Sequence, residues 1–213
     1  MHRLSISEFS SYRWPLFEEV VRYASAGIER IGLWRSKVDE FGYEAAADLL
    51  YEMKMSPSSL SWAGGFTGGD GTPHTLAVED ALQAVYEAHM VGADKLILYP
   101  GSRNGHTDRH AMRLFTNGVE SILPQAIDLG VKLVIEPVLS RNNQFSFMHR
   151  PDNYLNFVNQ FDSEHVGLVL DLFHVVRNLE MMANFGQFAD RISLVQLSDA
   201  KFRGGKWLRC PLG

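Results

Sequence analysis

A chain of 213 residues, 46% hydrophobic and 21% charged, has the composition of a globular protein long enough to bury a sizeable core. Its formal net charge of −5 lacks the electrostatic footprint of a nucleic-acid binder, and its single cysteine, Cys210, excludes an internal disulfide framework. Neither a signal-peptide apolar core nor a run of roughly 18 apolar residues is visible, so no membrane partner and a cytoplasmic location are expected.

The chain then alternates strand and helix signals. Leu4 to Ser7 reads as a first strand, and Pro15 to Ala26 as a helix with Pro15 at its first position and Gly27 as C-cap. Ile28 to Trp34 is a second strand, Tyr43 to Met53 a helix, and Ser59 to Trp62 a short third strand. Gly64 to Pro73 is too glycine-rich for either element. It lacks the lysine and helix start of a phosphate cradle and reads as a flexible rim loop. Leu76 to Val91 is an amphipathic helix and Lys95 to Tyr99 a fourth strand. Asp108 to Leu129 is a helix that Pro124 is expected to bend or break. Val131 to Ile135, Val166 to Asp171 and Ile192 to Leu197 are strands five, six and seven, separated by a helix from Pro151 to Phe161 and a weaker one from Met181 to Phe188.

One junction recurs: a helix ends on glycine and a strand opens within a few residues, as in AGIERIGLW, VGADKLILY and LGVKLVIEP. Short helix-to-strand connections of this kind imply right-handed crossovers and a parallel sheet. No G-x-G-x-x-G follows the first strand, so a (β/α)8 barrel is favoured over a dinucleotide-binding sheet. An eighth strand and the last helices are not found. The expectation is therefore a single barrel domain over residues 1–213, incomplete at its C-terminus, whose open edge would favour a homo-oligomer.

In such a barrel the strand C-termini share one face, where active sites sit. Glu136 ends strand five, Asp171 ends strand six and Gln196 ends strand seven, which brings three oxygen donors to one rim. That set predicts a divalent-metal site, with hard donors favouring Mn²⁺ or Mg²⁺ over Zn²⁺. His174 follows Asp171 by three positions; capping of a following helix by Asp171 is the alternative reading of that pair. Trp34 and Trp62 end strands two and three and form either an apolar wall for a sugar or ordinary core. His106 lies just beyond strand four, as a substrate contact or a solvated loop histidine. Glu8 ends strand one, as a supporting acid of the site or merely a carboxylate near a helix.

LVIEP at Glu136, LVLDLFH at Asp171 and His174, VQLSDAK at Gln196 and Asp199, and the closing RCPLG, in this order, resemble the xylose-isomerase-like TIM barrels. That superfamily includes sugar phosphate isomerases and epimerases and endonuclease IV. The resemblance implies that Glu136 and Asp171 are metal ligands, with Glu136 also a candidate acid/base, and that His174 holds substrate or helps proton transfer. It implies that Arg209 is the loop arginine that binds a substrate oxygen through its planar fork. Gln196 stands where many members carry a histidine ligand, and a fourth ligand, a glutamate on the last strand, is not found here. The implied activity is a metal-dependent isomerisation or epimerisation of a sugar, sugar phosphate or polyol-derived ketone through an enediolate. A dehydratase of the 3-dehydroshikimate type keeps the same site, and a non-catalytic remnant would follow from the missing strand. An endonuclease is disfavoured by Gln196, by the absence of an Asp-x-His after WLRCP and by the acidic net charge.

Overall fold

The computed structural model describes residues 4–138, 145–175 and 185–210. Seven strands form one parallel sheet in sequential order: β1 (Ile6–Ser7), β2 (Arg30–Trp34), β3 (Ser56–Gly64), β4 (Lys95–Tyr99), β5 (Lys132–Ile135), β6 (Val166–Asp171) and β7 (Ile192–Gln196). The helices between them are α1 (Leu16–Ser25), α2 (Arg35–Phe41), α3 (Tyr43–Glu52), α4 (His74–Met90), α5 (Asp108–Asp128), α6 (Pro151–Asn159) and the single turn α7 (Leu172–Val175). The sheet curls as a half-barrel of the TIM type. Among the described residues no eighth strand joins it, and β1 and β7 do not pair.

The glycine junctions close as the pattern requires. Gly27, Gly92 and Gly130 all take positive φ, at 76°, 76° and 68°. Each lets the next residue donate back into the helix: Ile28 to Tyr23, Ala93 to Ala88 and Val131 to Ala126, at 2.9, 2.8 and 2.8 Å. The end of α3 repeats the device without glycine. Lys54 has φ 53°, and Met55 donates to the Leu50 carbonyl at 2.9 Å.

Strand parity divides the apolar residues into two sets. Leu33, Leu60, Leu98, Leu133, Ile135, Leu168 and Leu170 join the large core between sheet and helices. Ile97, Val134 and Val169 instead pack with Trp62 and Leu194 in a small inner cluster on the opposite face of the sheet. Every residue of β6 is buried, as expected of a strand covered on both faces. Burial falls off at β7, whose outward Val195 is half exposed.

Four elements depart from expectation. Pro124 does not break α5: it lies on the exposed side, and Ile122 and Ala126 anchor the buried face on either side of it. The glycine-rich stretch is packed only at its start, with Gly64 inside β3 and Phe66 and Thr67 buried, while Gly69, Asp70, Gly71 and Pro73 are exposed. Of the helix expected from Met181, residues 181–184 lie outside the described residues. The described remainder forms a short 3-10 turn, Phe185–Gln187, and a second one, Ala189–Arg191, follows it before β7. Beyond β7 the chain makes an antiparallel hairpin of β8 (Asp199–Arg203) and β9 (Lys206–Cys210), where a loop was expected. Gly204 and Gly205, with φ 59° and 75°, form its two-residue turn.

Gly118 sets a packing limit. A Cβ there would fall inside the contact distance of the Phe66 ring, which is wholly buried. Alanine for glycine gains about 1 kcal/mol of helix propensity in an unconstrained helix. Gly118→Ala is expected instead to destabilise by about 1–2 kcal/mol in urea unfolding, because overpacking outweighs propensity.

Candidate active site

Two residues beyond the inner apolar cluster, the same parity brings Tyr99, Glu136, Asp171 and Gln196 to the C-terminal lip of β4 to β7. Glu136 follows the last residue of β5, and its backbone N–H extends the ladder to the Leu98 carbonyl at 3.0 Å. Asp171 closes β6 and pairs in register with Gln196 on β7, so the two side chains leave the sheet on one face.

Glu136 and Asp171 are both buried, at 7% and 1% exposure. With His174 they form a cluster in which one ligand atom from each residue lies within 4.8 Å of the others. Burial pushes the Glu136 carboxyl up to about 7, and the charge of Asp171 adds to the rise. Trp62, donating from Nε1 to Oε2 at 3.1 Å, and the positive Arg209 oppose it. Asp171 accepts the Phe173 backbone N–H at 2.9 Å, which is the helix-capping role, and a two-point contact from the Arg209 guanidinium as well. Arg209 also lies over the Phe173 ring at 4.5 Å.

Aromatic rings line the neighbouring strand ends. Trp62 stacks on Phe9 with centroids 4.7 Å apart, and Phe9 meets Trp34 at 5.0 Å. Trp34 is held in turn by Glu8, whose carboxylate accepts the Trp34 backbone N–H. Glu8 is fully buried, and burial raises its carboxyl to about 8. Nearby Glu19 raises it further, while the Trp34 bond and Lys37 hold it down.

The structure thus brings together Glu136, Asp171, His174, Arg209 and Trp62, sets Gln196 beside Asp171, and joins Trp34 to the group through Phe9. His106 faces elsewhere. Its Nε2 donates to the Thr67 carbonyl at 3.2 Å and its ring lies 4.7 Å from that of His110, against the loop after β3. Phe9 and Tyr99 were not singled out from sequence. Tyr99 sits two positions after an inward Ile97, a spacing that marks it; Phe9 follows a two-residue strand and has no such marker.

The sequence matches the family described as xylose isomerase-like TIM barrel over residues 17–213. The chain belongs to that family. A protein of Sinorhizobium meliloti 1021 is similar at 26% identity and TM-score 0.81, covering 93% of this chain and 74% of that one. The 3-keto-D-glucoside 4-epimerase of E. coli superposes with TM-score 0.79 at 10% identity, over 93% of this chain and 80% of that one. The IolI protein, solved with a bound zinc atom, gives TM-score 0.71 at 18% identity, over 96% and 76% of the two chains. A search of curated proteins finds no match. Among the described residues no helix is long and apolar enough to cross a membrane.

The Glu8 environment makes a stability test. Between its ordinary value of 4.5 and about 8, the folded state keeps a proton that the unfolded chain has released. The stability contributed by Glu8 is therefore full below 4.5 and is lost as pH rises through about 8. Glu8→Gln keeps an acceptor for Trp34 and does not ionise. Its melting temperature should match wild type near pH 5 and exceed it increasingly towards about pH 8.5, by roughly 2–4 °C per kcal/mol. Glu136 titrates in both proteins, so the difference isolates Glu8; a constant difference would mean that Glu8 is ionised throughout.

Proposed function

We propose that the protein is a divalent-metal-dependent isomerase or epimerase of sugars or sugar phosphates, working through an enediolate. The observation that carries this reading is the approach of Glu136, Asp171 and His174 to within 4.8 Å of one another, at the end of the sheet where barrel active sites lie. Family membership and the likeness of the fold to a sugar epimerase support it. Both carboxylates are buried beside each other, a donor set that favours a cation. Glu136 and Asp171 would hold the ion, with Gln196 adjacent and His174 in reach. The imidazole moves the set away from the all-oxygen one drawn from sequence, so Mn²⁺ suits it better than Mg²⁺, and Zn²⁺ stands beside Mn²⁺ as an ion to test. A bound divalent ion supplies Lewis acidity to neighbouring carbonyl and hydroxyl oxygens of the substrate.

The remaining work belongs to side chains. Glu136 removes the proton from the carbon next to the carbonyl and returns it to the carbon skeleton. His174 and Arg209 orient the oxygens between which charge moves. Phe9, Trp34 and Trp62 present ring faces to the C–H face of a sugar and shield the reacting carbon from water.

After chelation and Mn²⁺ addition, the protein in D₂O should exchange the α-proton of at least one member of a ketose, aldose and sugar phosphate panel, read by NMR. Glu136→Gln should slow exchange roughly 10²–10⁴-fold. At an ion concentration of about 100 times the dissociation constant, wild type should gain about 2.7 kcal/mol of stability, and Asp171→Asn should gain none. Absence of both exchange and metal-dependent stabilisation with Mn²⁺, Zn²⁺ and Mg²⁺ would sink the reading. Water loss with new conjugated absorbance would redirect it to a dehydratase.

A further inference from the structure

The cation already in the cluster is a side chain. The guanidinium of Arg209 reaches both carboxylate oxygens of Asp171, and its Nη2 lies 3.4 Å from His174 Nε2. It therefore touches two of the three residues whose ligand atoms converge. Its Nη1 also donates to Ser198 Oγ at 3.2 Å. Arg209 belongs to β9, in a hairpin whose residues 201–209 are all exposed, so an exposed flap is tied to a carboxylate that is 1% exposed.

We propose that Arg209 is a latch: its contact with Asp171 and His174 and a divalent ion at the same residues are mutually exclusive, so metal loading releases the β8–β9 hairpin from the site. The inference rests on the metal-dependent reading above and adds to it a regulation of the same site. Neutral imidazole has one ring lone pair. At His174 Nε2 that lone pair either accepts the Arg209 hydrogen or binds an ion. Asp171 adds a second conflict, because a dication on its oxygens would stand beside a guanidinium held by the same oxygens, and like charges at such distances repel strongly where water is scarce. The released fork is then free for an oxygen of the incoming substrate, which couples hairpin position to metal loading.

The test compares wild type, Arg209→Gln and Arg209→Lys in two assays that do not depend on turnover. Free Mn²⁺ is measured by electron paramagnetic resonance during titration, and limited trypsin digestion reads cleavage after Lys201, Arg203 and Lys206. Arg209→Gln should bind Mn²⁺ at least about tenfold more tightly than wild type, the scale of one charge-assisted hydrogen bond to a partly exposed partner. Arg209→Lys, which keeps the charge without the fork, should fall between them. Mn²⁺ should speed hairpin cleavage in wild type, while Arg209→Gln should be cut fast with or without it. Equal or weaker Mn²⁺ binding by Arg209→Gln than by wild type overturns the latch and leaves the metal site standing. Wild-type cleavage indifferent to bound Mn²⁺ does the same. If neither wild type nor variants bind Mn²⁺, Zn²⁺ or Mg²⁺ while retaining a folded circular-dichroism spectrum, the metal reading fails and the latch with it. Should Arg209→Gln not fold, Arg209→Lys and the wild-type digestion carry the comparison.

Discussion

Two carboxylates with oxygens no more than 4.8 Å apart, both buried, cannot both stay ionised without a cation close by. At an effective dielectric constant of about 20, their repulsion alone is about 3–4 kcal/mol, before either group loses its water. The protein meets this constraint in two ways. Arg209 brings a positive charge against Asp171 from the side of the hairpin, and Glu136 shifts towards neutrality, held up to about 7 by burial and by its neighbour. Ile97, Val134 and Val169 form the apolar floor that keeps water out beneath them. Those three residues decide the chemistry of the lip as much as the acids do, because the same carboxyls over a wet floor would remain ordinary.

The aromatic side of the site depends on the same arrangement. Trp62 packs against the apolar floor and donates its Nε1–H to Glu136, so one ring both excludes water from the carboxylate and lowers the cost of ionising it. Phe9 and Trp34 extend that wall outward, and Glu8, buried behind Trp34, fixes the strand end on which it rests. A proton on Glu8 therefore belongs to the support of the wall and one on Glu136 to the cluster itself, although both carboxyls are raised first by burial.

How much was readable in advance follows the range of the interactions. β4 and β6 match their expected limits to the residue, because a buried strand declares itself in five or six consecutive side chains. The glycine junctions were equally local, while Lys54, a left-handed position without glycine, escaped that pattern. Strand ends then located Glu136, Asp171 and Gln196, since one pleat period carries the argument from floor to lip. What failed was short or distant. α2 has seven residues, too few to display a helical period, and the FRGGKW hairpin carried its signal in Gly204-Gly205 without an apolar alternation to support it. His106 was placed correctly beyond β4, yet the side chain turns to the Thr67 carbonyl because the loops after β3 and β4 interlock. No local pattern reports such a contact.

The separation between Arg209 and Asp171 carries one more consequence. The two lie 38 positions apart, and the acid is fixed on a fully buried strand while the base rides on an exposed hairpin. An ion pair built from two rigid elements would lock the site. Built from one rigid and one exposed element, it draws on the charge contact together with the Phe173 ring under the guanidinium and the Ser198 hydroxyl. The pull on Arg209 comes from an Asp171 carboxylate that is out of water, and anything that supplies positive charge to Asp171 weakens that pull. Arg209 thus couples the hairpin to the electrostatic state of the lip.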